Sequence, residues 1–306
     1  MPADIVSYTV AGNGPSRPDA RSKPTVPTLT CEISETLMRA LEARSAQTGE
    51  PIAHIVMASL ADTLEVDHST LFQVSTSTAL VEGVYGGVVT IGELKQHGSF
   101  GLGTFDGLDG EMLALDGHFF QVHGNGSVSE PRDDARVPFG VITEFRAERE
   151  FVLDNVNSFD DMAAQLDHRR DTDNLFFAVR IDGHFDHVKA RALYKTESGV
   201  SLVDATAHQP EFALTDVSGT AVGFWTPAYA RTLNVAGWHL HFVTDDRTGG
   251  GHVLDCQAAD LRVQIQDLAD VRIAIPETAA FLQADLSQDP SRELDLAERG
   301  GQRDER

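Results

Sequence analysis

Between Gly237 and Asp255 the chain reads GWHLHFVTDDRTGGGHVLD, and few local structures can accommodate such a run. Successive side chains of a β-strand point to opposite faces, so His239 and His241 share one face while Leu240 and Phe242 share the other. The following Thr-Asp-Asp-Arg-Thr-Gly-Gly-Gly is turn chemistry: Asp hydrogen-bonds its own backbone, and Gly supplies positive φ. If the hairpin folds about Asp246 and Arg247, His252 returns opposite His241. Three imidazoles then converge on one point, the donor set of a catalytic Zn²⁺ or similar divalent ion with one position left open. A lone His-x-His is more often surface or core histidine. The third histidine behind a Gly-rich turn points to a metal.

The formal charge of −23 excludes some partners. Lysine is confined to Lys23, Lys95, Lys189 and Lys195, so the surface repels nucleic acid and anionic membranes. Cys31 and Cys256 suggest neither a disulfide framework nor a cysteine-based zinc site. No apolar run reaches the ~18 residues of a membrane span. The N-terminal stretch has no apolar core of a secretion signal. A reduced, soluble, cytoplasmic protein is expected.

Residues 1–25 read as a disordered tail rich in Pro, Gly, Ser and Asp. Over 26–67 a strand-like VPTLTCEIS precedes a helix with Ser34 as N-cap and Leu37, Met38 and Leu41 on one face. Gly49 and Pro51 end it, and a second helix carries Ile52, Ile55, Val56, Ala58, Leu60 and Leu64. This segment resembles a ribbon-helix-helix module. Its ribbon presents Thr28, Thr30 and Glu32 with no basic residue, which favours dimerisation or docking over DNA reading.

From His68 the texture is strand-rich. Asp-Gly at 106–107, 109–110 and 116–117 signals hairpins. Gly101 and Gly103 do not complete a nucleotide-binding GxGxxG, and no helix follows. Residues 140–151 read as a strand and 157–172 as a helix. Residues 174–193 read as strand, Gly183 turn and strand, and 256–275 as at least one more strand. A short helix or turn is expected over 277–286, and a polar tail with one apolar bead at Leu294–Leu296 over 290–306. Many strands with few helices indicate an α+β or mostly β enzyme, not a doubly wound parallel sheet. His184 and His187 read as surface histidines.

Four stretches together resemble the α-acetolactate decarboxylase family: Gln73–Gly87, Thr90–Gly117, Val188–Leu193 and Asn234–Asp255. The likeness spans roughly residues 68–300. It implies a metal-dependent carboxy-lyase converting 2-acetolactate to acetoin and carbon dioxide, on the route to acetoin and 2,3-butanediol. It also implies two merged β-sheet domains, a mixed sheet and an antiparallel barrel-like one, usually in a homodimer. The expected division is an N-terminal mixed-sheet part over 68–205 and a C-terminal β part with the metal site over 206–306.

The family's metal histidines fall on His239, His241 and His252. Its LDGE acid falls on Glu111, its active-site arginine on Arg191, and its C-terminal glutamate on Glu298, with Glu293 as the competing position. Gln73, Ser75 and Thr76 read either as strand residues with ordinary backbone contacts or, as the resemblance allows, as residues of the substrate pocket. Zn²⁺, Mn²⁺ and Fe²⁺ all suit three histidines. The chemistry is coherent: loss of carbon dioxide leaves electrons that a Lewis acid can hold, Arg191 can bind a carboxylate, and Glu111 or Glu298 can return a proton. The alternatives are a DNA-associated regulator like the plant and prokaryotic conserved domain, which carries a similar His-rich hairpin, or a related metal lyase acting on another keto or hydroxy acid.

Overall fold

Local capping decides where the first helix starts and stops. The computed structural model describes residues 30–49, 52–64, 69–207 and 209–298. The chain divides into two units, Met1–His68 and Ser69–Arg306. In the first, Ser34 is extended and its side chain accepts from the Leu37 N–H, starting α1 (Glu35–Thr48); Gly49, left-handed at φ 77°, ends it. Helix α2 (Ile52–Thr63) follows. No residue of α1 is buried, and Leu37 and Leu64 are exposed. Of the strand expected over 26–34, residues 26–29 lie outside the described residues, and Thr30–Ser34 form no strand on their way into α1. The 1–25 tail lies outside them too.

The second unit begins with β1 (Thr70–Val74), α3 (Ser77–Val81), β2 (Val89–Thr90), α4 (Ile91–Leu94), β3 (Phe100–Thr104), β4 (Glu111–Leu115) and β5 (His118–Val122). It continues through β6 (Val128–Ser129), β7 (Arg136–Val137), β8 (Phe139–Thr143), β9 (Arg149–Val156), α5 (Phe159–Asp167), β10 (Phe176–Arg191), α6 (Leu202–Thr206) and β11 (Glu211–Thr226). It closes with β12 (Gly237–Thr244), β13 (Gly250–Leu268), β14 (Asp270–Ala274), α7 (Ala279–Gln283) and α8 (Ser291–Glu298). This is an α+β architecture dominated by strands. One sheet has the order β14-β1-β8-β3-β4-β5-β6 and is mixed, because β14 runs parallel to β1. The other has the order β10-β11-β12-β13-β9 and is antiparallel, with β10 also pairing to β13.

Alternation along the strands sorts the side chains into clusters and so sets where chemistry can sit. One cluster, with Leu102 and Leu113 from the first sheet and Val222, Phe224 and Val243 from the second, fills the seam between the sheets. Another, with Leu240, Phe242, Ala190 and Val253, lies on the far side of the second sheet against α5. A third, with Met112 and Ala114, backs the first sheet under α4. Residues flanking Leu240, Ala190, Val253 and Met112 therefore face the seam. They are His239, His241, Arg191, His252 and Glu111.

Three local expectations change. Gly183 is no turn: β10 runs unbroken through it, paired to β11 and β13, and a Cβ there would stand 2.7 Å from the Leu261 side chain. Residues 140–151 are shared by two strands in different sheets, β8 and β9. Part of the polar tail is helical: α8 buries Leu294 and Ala297, one turn apart.

Both cysteines are free, Cys31 exposed and Cys256 buried with its Sγ 3.7 Å from the Met162 Sδ. Burial, then Asp255 and Asp161, push the Cys256 thiol up to about 12, so the reactive thiolate is scarce at ordinary pH. Iodoacetamide at pH 8 is expected to label Cys31 in the folded protein and Cys256 only in denaturant, as read by intact mass. Equal labelling of both without denaturant would contradict the packing of α5 on β13.

Candidate metal centre and active site

The turn between β12 and β13 brings the histidines together. Asp246 Oδ1 accepts from Thr244 Oγ1 at 2.7 Å and from Thr248 N at 3.1 Å, and Arg247 takes φ 59°, so the chain reverses at the expected residues. His241 then pairs in register with His252. Gly251 is required beside it: its φ is 145°, and a Cβ would lie 2.4 Å from the Arg191 carbonyl oxygen.

The three ring centroids stand 4.9–5.5 Å apart, and one ligand nitrogen of each lies within 4.8 Å of the others. All three rings are buried. Burial, then the positive charge of Arg191, holds His239 at about 3; burial, then His239, holds His241 at about 3. Burial and Arg191 likewise hold His252 well below the ordinary histidine value. All three are neutral at pH 7, the form that ligates a metal.

His241 Nδ1 donates to the Met112 carbonyl across the seam at 2.8 Å, which leaves the Nε2 lone pair facing inward, 3.2 Å from His239 Nε2. Two imidazole nitrogens this close, with a third nearby and all three rings buried, form a donor set that suits a divalent cation.

The other expected residues reach the same point. Glu111 Oε2 is 3.6 Å from His241 Nε2, and Glu298 Oε2 is 3.2 Å from His252 Nε2 and 3.3 Å from Arg191 Nη2. Glu298 thus sits at the centre, while Glu293 is not among the residues lining it. Burial pushes the Glu111 carboxyl up to about 8, against the pull of Arg191; burial also raises that of Glu298. Together these groups border a cavity of about 50 Å³, whose opposite wall is apolar, with Leu80, Leu108, Phe139, Leu202 and Leu294.

Of the Gln73–Thr76 stretch none lines this cavity. Gln73 instead holds the adjoining loops, donating to Ser75 O and Leu233 O at 2.9 and 2.6 Å, and Ser77 takes the lining position. Sequence reasoning also missed Thr104, which lines the cavity and ties its hydroxyl to Gly110 O at 2.8 Å, and Gln209, whose Oε1 accepts from Arg191 Nη1 at 2.7 Å. The pairing of Thr104 with Glu111 across the β3–β4 hairpin was the available signal for the first. Nothing local marked the second.

Comparison with known proteins gives a consistent result. The model of a family described as alpha-acetolactate decarboxylase matches residues 71–288. An alpha-acetolactate decarboxylase of Methanosarcina mazei is 40% identical over 230 residues, covering 75% of this chain and 80% of that one. One of Raoultella terrigena is 41% identical over 222 residues, covering 72% and 86%. The crystal structure of alpha-acetolactate decarboxylase from Bacillus subtilis strain 168 superposes with a TM-score of 0.73 at 36% identity, covering 75% of this chain and 99% of that one.

Proposed function

Since the chain belongs to the alpha-acetolactate decarboxylase family, we propose that His239, His241 and His252 hold a divalent ion at the centre of its reaction. The reaction is decarboxylation of 2-acetolactate to acetoin and carbon dioxide. The observation that carries the proposal is the convergence of three neutral, buried imidazoles on a cavity that also holds Arg191, Glu111 and Glu298. The donor set suits Zn²⁺, Mn²⁺ or Fe²⁺. Held there, such an ion supplies a Lewis acid for the electrons released as carbon dioxide leaves.

The chain's own groups do the rest. Arg191 binds the substrate carboxylate through its planar guanidinium and orients it for departure. Glu111, whose carboxyl burial shifts towards the acid form, delivers a proton to the carbon that lost the carboxylate. Glu298 sits between Arg191 and His252 and fixes both. The apolar wall of Leu80, Leu202 and Leu294 keeps water from competing for that carbon.

The same reading extends to assembly and place. On the family resemblance the enzyme works as a homodimer, and the free Cys31 and Cys256 suit a reducing, cytoplasmic setting. The N-terminal helices serve dimerisation or docking, as in a ribbon-helix-helix module.

The test is metal analysis on protein purified without added metal, together with acetoin formation before and after chelation. About one divalent ion per chain is expected, with activity and thermal midpoint both falling on chelation and recovering on re-addition. Full activity from chelated, metal-free protein would overturn the proposal.

A further inference from the structure

Arg191 carries the only positive side chain among the residues lining the cavity, and two carboxylates stand beside it. A guanidinium offers five donors in a rigid fork and pairs readily with a neighbouring carboxylate. Here its side chain is 4% exposed, and its donors are divided. Nη1 donates to Gln209 Oε1 at 2.7 Å, Nη2 donates to Glu298 Oε2 at 3.3 Å, and Nε is buried with no partner.

Gln209 is held in place by its neighbours. Its N–H donates to Thr206 O at the end of α6 at 3.3 Å. Pro210 confines it to extended backbone. The next residue, Glu211, pairs directly with Arg191 as the first rung between β10 and β11.

We propose that Gln209 is a positioning residue for Arg191: its neutral amide oxygen ties down Nη1 and so leaves the Nε–Nη2 edge of the guanidinium facing the cavity for a substrate carboxylate. Two features of the molecule support this. The unpartnered Nε is a donor awaiting an acceptor. The same edge is already used elsewhere in the chain, where Arg262 binds Glu150 through Nε and Nη2 at 2.9 and 2.8 Å. An amide suits the task better than a carboxylate, because it accepts the hydrogen bond without adding a negative charge beside Arg191.

The inference rests on Arg191 as the carboxylate site, and the experiment separates the two. The probe is 2-hydroxy-2-methylpropanoate, which has the carboxylate and hydroxyl but no ketone, so it binds without reacting. Its Kd is measured by calorimetry on metal-loaded wild type, Gln209→Ala, Gln209→Glu and Arg191→Gln, with the acetolactate KM and kcat alongside. Gln209→Ala is expected to raise Kd and KM by about 10-fold with kcat within about twofold and metal content unchanged.

Gln209→Glu has the same shape and keeps the acceptor, so it preserves the fold. Its added charge is expected to weaken the probe at least as much as Gln209→Ala, with no loss of thermal stability. If Arg191→Gln weakens the probe but both Gln209 variants bind like wild type, Gln209 has no such role. If Arg191→Gln itself binds like wild type, the carboxylate site lies elsewhere and the reading of Arg191 fails first.

Discussion

Replacing Glu111 with Gln is expected to lower kcat by about 10²–10⁴-fold, the usual range for loss of a positioned general acid, while the purified variant keeps its metal. The substitution nearly preserves shape, so the strand should not move. Gly110 before it adopts φ 85° where a Cβ would lie 2.3 Å from the Val122 carbonyl oxygen, and this backbone constraint aims β4 irrespective of the residue at 111. What Gln cannot do is give up a proton.

The sign follows from burial. Glu111 is 7% exposed, and taking its charge out of water pushes the carboxyl up to about 8, towards the acid form, while a cation bound beside His241 pulls it back down. Arg191 also pulls it down, by less than burial raises it. Because the replacement nearly preserves shape and adds no charge to a buried site, thermal stability should change little. Steady-state acetoin formation and elemental analysis on the same sample check both halves. Turnover like wild type would remove Glu111 from the chemistry.

The hairpin of β12 and β13 was legible because everything that defines it is local. Period-2 alternation fixes the shared face of His239 and His241, and the Asp246–Arg247 turn fixes the return of His252. Gly183 misled for the opposite reason. Asp-Gly is a turn signal in isolation, but at 182–183 the strand is clamped on both sides, and the missing side chain makes room for Leu261.

The acids and the arginine were found by likeness to a family rather than by pattern. Their meeting depends on how one sheet stacks on the other, as in the bond from His241 to Met112 O, 129 residues away. Glu298 is the extreme case. The tail holds few apolar residues, and α8 forms with only Leu294 and Ala297 buried. Gln209 left no trace in the sequence, because its role appears only once the chain from Ala192 to Pro210 has folded back on Arg191.

The largest loss is expected from His241→Ala. It is the least exposed of the three rings, at 2%, and the one with a link to the opposite sheet. Removing it deletes a proposed ligand and the side-chain bond to the Met112 carbonyl, so metal affinity and seam packing should fall together. Under the proposed metal role, holding transition-state charge is worth several kcal/mol, roughly three decades in rate, so turnover should drop by at least ~10³-fold with metal content near zero. A general collapse would give the same numbers, so two controls decide the cause. His184→Ala removes an exposed ring bonded only to Asp216 and Ser218 and should leave rate and metal intact. Leu240→Ala, on the far face of the same strand, should cost about 2–5 kcal/mol of stability and still bind metal below its lowered melting point. If His241→Ala instead keeps both metal and turnover, the ion is not held by this hairpin, and the face shared by His239 and His241 has another use.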